Sequence, residues 1–162
     1  MNRAFLLTGG NIGQPLTTLK NAMHAIEDQC GPILKHSSIY QTAAWGNEEQ
    51  PDFLNQVIVI ETKMAPAELL KTLLDIEQDL GRTRNKKYDP RIIDIDILFY
   101  NDLILTTENL EIPHPRLHLR KFVLVPLNEV ESEFVHPVFN KKVSQLLVEC
   151  QDVLNVKKFS TK

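Results

Sequence analysis

The spacing of apolar positions changes along the chain, from the short runs typical of strands to the three- and four-residue spacing of helices. Helical spacing is present at Leu16, Leu19 and Ile26, and again between Pro66 and Leu80, where Gly81 follows as a C-cap. The patterns predict strands over 3–8, 33–42, 53–62, 92–100 and 103–106, and a late helix over 143–150. The glycine-rich residues 9–13 are predicted to end the first strand as a loop.

The order strand, helix, strand, strand, helix, strand predicts an α+β protein. It is typical of a ferredoxin-like βαββαβ sandwich, an antiparallel sheet with helices, here with a C-terminal extension. Helices are expected on one face of the sheet, which leaves the other face for a ligand. Residues 1–162 are predicted to form one domain, because 162 residues suit a single core and no change of composition marks a linker.

Charge and composition exclude several classes of partner. The 18 basic and 21 acidic side chains give a net charge of −3, whereas a general nucleic-acid binder needs excess positive charge. The first nine residues have too short an apolar run for a signal peptide, and no segment has the length and apolarity of a membrane span. Cys30 and Cys150 are far apart in the sequence, so reduced thiols are expected. We expect a cytoplasmic protein that acts as a monomer, without nucleic-acid or membrane partners.

Two carboxylates in the last long strand carry the first chemical indication. Side chains alternate in a strand, so Asp94 and Asp96 share one face while Ile95 and Ile97 share the other. Like charges about 7 Å apart on one surface are unfavourable unless a cation neutralises them. Mg²⁺ prefers such oxygen ligands and completes its shell with water and phosphate oxygens. A solvated outer face of an edge strand is the alternative for a bare D-x-D pair.

Basic segments lie on both sides of this strand in the sequence. Residues 82–91 hold five cationic side chains and one anionic side chain, and residues 114–121 hold three cations and two histidines. Charge runs are most often solvated surface. Flanking a pair of carboxylates, they indicate a metal-bound polyphosphate whose remaining charge is neutralised by arginine.

Three functions are compatible with this pattern. One is phosphoryl transfer from a nucleotide, and a second is another Mg²⁺-dependent nucleotidyl or phosphoryl transferase with the same D-x-D pair. The third is a non-catalytic ferredoxin-like module that binds RNA or a regulatory small molecule. RNA recognition on such a sheet needs aromatic side chains in the central strands, whereas residues 57–60 are aliphatic.

Several motifs, in order along nearly the whole chain, resemble the 6-hydroxymethyl-7,8-dihydropterin pyrophosphokinase family. The signature is Arg91-x-x-Asp94-Ile-Asp96-Ile-Leu after Pro90. Similar segments are Gly9-Gly10-Asn11, Tyr40-x-Thr42, 50–55, 76–84, 112–116 and 120–127. The chain departs from the family pattern at Asp89, where a small residue is usual, and at Gly10, where serine is usual.

The resemblance implies a transferase of folate biosynthesis. Its reaction moves the pyrophosphoryl group of ATP to the hydroxymethyl group of the reduced pterin and releases AMP. ATP is the co-substrate, two Mg²⁺ ions are expected, and Asp94 and Asp96 are their implied ligands.

The resemblance also assigns residues to the two substrates. The catalytic residues are Arg82, Arg91, Asp94 and Asp96. Those for ATP are Glu77, Arg82, Arg84, Tyr88, Arg91, Ile97, His114 and Arg120. Those for the pterin are Thr42, Ala43, Trp45, Phe53, Asn55, Asp94 and Phe122, with the pterin ring stacked between Phe53 and Phe122. The roles of Lys86, Lys87, Arg116 and His118 are left open.

Overall fold

The computed structural model of the chain describes residues 1–43, 51–81 and 92–160. The strands are β1 (Asn2–Gly10), β2 (Ile33–His36), β3 (Tyr40–Thr42), β4 (Phe53–Thr62), β5 (Asp94–Tyr100), β6 (Leu105–Thr106), β7 (Glu111–Ile112) and β8 (Val156–Lys158). The helices are α1 (Pro15–Gln29), α2 (Pro66–Asp79), α3 (Lys121–Glu131) and α4 (Val143–Glu149), with a 3-10 turn at Leu117–Leu119. The predicted strand at 53–62 and the predicted helix starts at 66 and 143 are confirmed.

The main sheet is antiparallel and has six strands within the described residues. Its order is β5-β1-β4-β3-β8, and β2 pairs with β4 next to β3. The first strand therefore lies between the last strand of the βαββαβ unit and its third, which is the order of a ferredoxin-like sandwich. The predicted fold class is confirmed, and β8 from the C-terminal extension adds a further strand.

One face of the sheet is covered by α1 and α2. Leu19 and Ile26 of α1 and Leu69 and Leu73 of α2 are fully buried against it. The strand side chains of this first core cluster are aliphatic or tyrosine: Ala4, Leu6, Leu54, Ile58, Ile60, Ile95, Ile97 and Tyr100. The helical spacing seen in the sequence therefore corresponds to the buried faces of both helices. Helix α2 ends where predicted, since Gly81 adopts φ +100° directly after it.

The opposite face also carries helices, α3 and α4, whereas the sequence analysis expected helices on one face only. Val123, Leu124 and Leu127 of α3 and Val143 and Leu146 of α4 form a second core cluster. They pack against Phe5 and Leu7 of β1, Val57 and Val59 of β4, and Phe99 of β5. The expectation that this whole face is open to a ligand is wrong, because the apolar run at 122–127 forms a helix that covers part of it.

The strand predicted over 33–42 is divided into β2 and β3. Ser37 lies between β2 and β3 and forms hydrogen bonds with Val57 through both its backbone and its side chain. Its N–H donates to the Val57 carbonyl at 2.8 Å, and its Oγ accepts the Val57 N–H at 2.9 Å. A side chain that bonds to backbone competes with regular strand pairing, which ends the ladder here.

The expectations for thiols and membrane spans can be compared with the structure. Cys30 and Cys150 are both free, and burial raises the pKa of Cys30 to about 11. Within residues 1–43, 51–81 and 92–160, no helix combines the length and the apolarity that crossing a membrane requires.

Candidate active site

A row of four paired residues crosses the sheet on the face that carries α3. Gly9 of β1 pairs with Asp94 on one side and with Asn55 on the other, and Asn55 pairs with Tyr40. Side chains of directly paired residues point to the same face. Because Gly9 has no side chain, the amide of Asn55 can lie over it, on the same face as the carboxylate of Asp94.

Gly9 belongs to strand β1, so its prediction as part of a loop is wrong. A Cβ atom added at Gly9 would overlap Oδ1 of Asn55. The strand continues through Gly10 because both glycines pair with β4, opposite Asn55 and Leu54. Glycine is therefore needed at position 9 for close approach, with the Asn55 side chain lying over it.

Asp94 and Asp96 share the face of this row, as the alternation predicted. Both are half-buried, whereas Ile95 and Ile97 are only 4% exposed and belong to the first core cluster. Between the two aspartates, the Ile95 N–H donates to Oε2 of Glu77 at 2.6 Å. Glu77 is 1% exposed, so α2 supports the strand from the side opposite the two carboxylates.

An imidazole and a guanidinium group lie close enough to these carboxylates for the carboxylate charges to act on their pKa values. Burial, followed by the charges of Arg120 and Arg116, lowers the pKa of His114 to about 4, against the opposing charge of Asp94. Burial lowers the pKa of Arg120, while the charge of Asp96 raises it and that of Arg116 lowers it further. The sheet edge and the segment after β7 therefore bring both signs of charge together.

The tautomer of His114 follows from its hydrogen bonds. The His114 backbone N–H donates to the Leu98 carbonyl at 3.0 Å, which attaches this segment to β5. Its Nδ1 accepts the N–H of Arg116 at 3.2 Å. With a pKa near 4 the ring is neutral at pH 7, so the proton lies on Nε2, which is a hydrogen-bond donor.

The oxygen donors of Asp94 and Asp96 fit Mg²⁺, which takes one or two protein carboxylates and fills its other positions with water and substrate oxygens. Among residues 1–43, 51–81 and 92–160, no group of three or more His, Cys, Asp or Glu side chains is placed to hold a metal ion. That result excludes a zinc-type site with three or more protein ligands only for this described part of the chain.

Aromatic and polar side chains border the other end of the same face. Phe53 pairs with Thr42 at the beginning of β4, and both it and Phe122, the second residue of α3, are half-buried. Cζ of Arg120 lies 5.6 Å from the centre of the Phe122 ring. Thr42 is 3% exposed, and its Oγ1 has no hydrogen-bond partner among residues 1–43, 51–81 and 92–160. A buried hydroxyl without a partner is costly, which is typical of a position that a ligand satisfies.

Glu129 of α3 fixes the strand that carries Thr42. Its Oε1 accepts the hydroxyl of Tyr40 at 2.5 Å, and its Oε2 accepts the N–H and Oγ–H of Ser38, each at 3.1 Å. Burial and this hydrogen bond raise the pKa of Tyr40 to about 12, so its hydroxyl stays protonated. Although burial opposes it, the hydrogen bonds from Tyr40 and Ser38 lower the pKa of Glu129.

The predicted site residues are thus divided into three groups. The structure brings together Thr42, Phe53, Asn55, Asp94, Asp96, His114, Arg120 and Phe122 around one face of the sheet. The side chains of Glu77 and Ile97 lie in the core behind this face, and Ala43 is exposed just after β3. Trp45, Arg82, Arg84, Tyr88 and Arg91 lie outside the described residues.

The sequence interpretation missed three contributors to the site. Gly9 was predicted only as a turn residue, and Arg116 was given no role, although it lies within the basic segment 114–121. Glu129 is 89 residues from Tyr40, so no local pattern could have indicated their contact.

Comparison with known proteins gives one consistent result. Residues 5–132 match the family model of 7,8-dihydro-6-hydroxymethylpterin-pyrophosphokinase (HPPK). The 2-amino-4-hydroxy-6-hydroxymethyldihydropteridine pyrophosphokinase of Aquifex aeolicus is 37% identical over 149 residues, 92% of each chain. The Synechocystis enzyme of the same name is 41% identical over 148 residues, 90% of this chain and 75% of its own.

The solved structures agree on the fold. The wild-type HPPK-DHPS of Plasmodium falciparum matches with a TM-score of 0.75 at 19% identity. The match covers 91% of this chain and 44% of that one, and at this identity it shows the fold alone. With the family model and two relatives in agreement over most of its length, the chain belongs to the 7,8-dihydro-6-hydroxymethylpterin-pyrophosphokinase family, whose members transfer pyrophosphate from ATP to hydroxymethyldihydropterin in folate biosynthesis.

Proposed function

We propose that this chain performs the transfer on the α3 face of the sheet, with two Mg²⁺ ions held by Asp94 and Asp96. The observation that carries the proposal is the row from Asp94 across Gly9 to Asn55. Asp94 and Asn55 lie on either side of Gly9, Asp96 shares their face, and both aspartates are close enough to raise the pKa of Arg120, which supports the proposal. When bound, the metal ions would neutralise the triphosphate and polarise the attacking hydroxyl group.

The residues near Asp94 and Asp96 suit the nucleotide end of the site. Arg120 is positively charged at pH 7, and its guanidinium group can donate two parallel hydrogen bonds to phosphate oxygens. The neutral His114 donates from Nε2, so it binds a phosphate oxygen without accepting the proton of the attacking hydroxyl group. Arg82 and Arg91 are assigned to the phosphates by the sequence resemblance.

The residues at the other end suit a flat polar heterocycle. Phe53 and Phe122 supply aromatic surface for stacking, and Asn55 with Thr42 supplies hydrogen-bonding groups for the ring edge. The unpartnered Oγ1 of Thr42 supports this assignment, because a pterin amino or carbonyl group would satisfy it. Trp45 and Ala43 are assigned to the same edge by the resemblance.

The decisive assay follows the nucleotide product. The proposal predicts that ATP gives AMP, and not ADP, and only when both Mg²⁺ and 6-hydroxymethyl-7,8-dihydropterin are present. Removal of the metal with EDTA should stop AMP formation, and added Mg²⁺ should restore it. Formation of ADP, or of AMP without the pterin, would instead indicate another nucleotide-dependent transferase with the same carboxylate pair.

We also propose that the chain acts as one domain, as a monomer and in the cytoplasm. The main sheet contains both β1, which begins at Asn2, and β8, which ends at Lys158, and this supports a single domain. The free Cys30 and Cys150 are consistent with a reducing compartment. Light scattering of the purified protein tests the monomer, for which a mass near 18.6 kDa is expected.

A further inference from the structure

Helix α3 is capped by a residue that lies far away in the sequence. Its N-cap residue, Arg120, makes no side-chain capping hydrogen bond. Instead, Oδ2 of Asp152 accepts the N–H of Lys121, the first residue of the helix, at 3.0 Å. The other oxygen, Oδ1, accepts the N–H of Leu154 at 3.0 Å, so one carboxylate joins the helix to the segment after α4.

This cap fixes the part of α3 that borders the proposed site. The first N–H groups of a helix have no partner within it, and a helix end without a cap frays. Lys121 lies between Arg120 and Phe122 in the sequence. Cζ of Arg120 is 5.6 Å from the centre of the Phe122 ring. Asp152 therefore fixes the backbone of Lys121, and with it the first helical turn, which carries Phe122.

The segment after α4 that contains Asp152 also pairs with β3, the strand that carries Thr42. Strand β8 pairs with β3, and Val156 lies directly opposite Thr42. The Phe159 N–H then donates to the Ile39 carbonyl at 2.8 Å. Residues 152–159 therefore connect the start of α3 on one side with the strand of Thr42 on the other.

We infer that Asp152 is a positioning residue for the pterin, holding Phe122 at a fixed separation from Phe53 and Thr42. The inference rests on the proposed function, since it assumes that these three residues bind the pterin. Asp152 is not one of the residues proposed to bind a substrate, and it acts through Lys121 and Phe122. It lies outside residues 5–132, which match the family model.

Substitution of Asp152 should therefore weaken pterin binding more than it slows the chemistry. For Asp152→Ala we expect the pterin Kd, measured by fluorescence titration well below the Tm, to rise about tenfold, as loss of a helix cap allows. The KM for pterin should rise in parallel, while kcat at saturating pterin is retained. Asp152→Asn keeps one carbonyl oxygen as an acceptor, so its Kd should lie between those of Asp152→Ala and the wild type.

Thr62→Val provides a control for simple loss of stability. Thr62 ends β4 at the opposite end from Phe53, and its Oγ1 accepts the Met64 N–H and donates to the Cys30 carbonyl. This variant also loses side-chain bonds to backbone, so its Tm should fall while its pterin Kd stays at the wild-type value. A purely structural role for Asp152 would give the same result as Thr62→Val, a lower Tm with unchanged Kd, and would overturn the inference.

Phe122→Ala separates this inference from the proposed function. If it weakens pterin binding while neither Asp152 variant does, the positioning role is wrong and the site assignment stands. If Phe122→Ala binds the pterin like the wild type, the site assignment fails and the positioning role with it. Should Asp152→Ala not fold, Asp152→Asn gives the same comparison with half of the cap retained.

Discussion

The two faces of the main sheet are built from the same strands, yet the proposed site lies on only one of them. Towards α1 and α2, β1 and β5 present aliphatic side chains such as Leu6, Ile95 and Ile97. Towards α3, the same strands are apolar where the helix covers them and present Asp94 and Asp96 beyond it. Because successive side chains of a strand point to opposite faces, one strand can contribute to the core and to the proposed site. On the α3 face, the start of α3 lies between the apolar part and the two aspartates.

The largest predicted effect is the loss of activity in Asp96→Asn. Removing one of the two carboxylates costs several kcal/mol of transition-state stabilisation, so kcat should fall by about a thousandfold. Asparagine has the size of aspartate, so the variant should still fold, which its circular dichroism spectrum and Tm check. Asp102→Asn, in the exposed turn after β5, is the matched control and should keep full activity. Substantial activity in Asp96→Asn would remove the metal assignment.

On the opposite face, Ile58→Ala should affect stability and not function. Ile58 is fully buried under α1 and α2, and such truncations cost about 2–5 kcal/mol of unfolding free energy. Denaturant unfolding measures this loss, and titration of the remaining folded protein should give the wild-type pterin Kd. A changed Kd would mean that the two faces are not energetically independent.

A smaller effect is expected for Gly9→Ala. The added methyl group would displace the Asn55 side chain from its place over residue 9, so pterin binding should weaken by about tenfold. The double variant with Asn55→Ala tests the cause. In that background Gly9→Ala should have little further effect, because no amide is left to displace. Additive effects of the two substitutions would contradict this explanation.

Thr42→Val should change stability and binding in opposite directions. The substitution removes a buried hydroxyl without a partner, so the free protein should gain about 1 kcal/mol of unfolding free energy. Pterin binding should weaken by a similar amount, because the ligand loses a hydrogen bond. Calorimetry and fluorescence titration measure the two quantities, and a stabilised variant with unchanged Kd would show that the hydroxyl does not face the ligand.

The smallest effect concerns pH. Burial, followed by the charge of His118, lowers the pKa of His136 to about 4, and its Nδ1 accepts the N–H groups of Val138 and Phe139. Between pH 6.5 and 4 the unfolded chain binds a proton that the folded chain does not, so the free energy of unfolding decreases as pH falls through this window. From pH 7 to pH 6 the loss from this residue stays below about 1 kcal/mol. His136→Asn, which keeps an acceptor and does not titrate, should reduce the slope, and an unchanged slope would exclude His136 as its source.

Local patterns were sufficient for the elements that depend on local properties. The run Val57–Ile60 fixes β4, and the spacing from Leu69 to Leu80 fixes α2. The alternation of Asp94 and Asp96 with isoleucines correctly predicted which side chains share a face. These features need only periodicity and residue type, both of which the sequence contains.

Features that depend on distant contacts could not be predicted in this way. Helix α3 contains Pro126, which obscures its helical pattern, and its burial depends on strands far away in the chain. The division of β2 from β3 depends on the bond of Ser37 to Val57, 20 residues later. The cap from Asp152 joins residues 31 apart, and no local signal marks that carboxylate.

The most direct test of the site is a crystal structure with Mn²⁺, a non-hydrolysable ATP analogue and the pterin. Anomalous scattering should place manganese ions against the carboxylates of Asp94 and Asp96, with the pterin ring between Phe53 and Phe122. Nucleotide bound elsewhere, or metal ions without contact to either aspartate, would contradict the account.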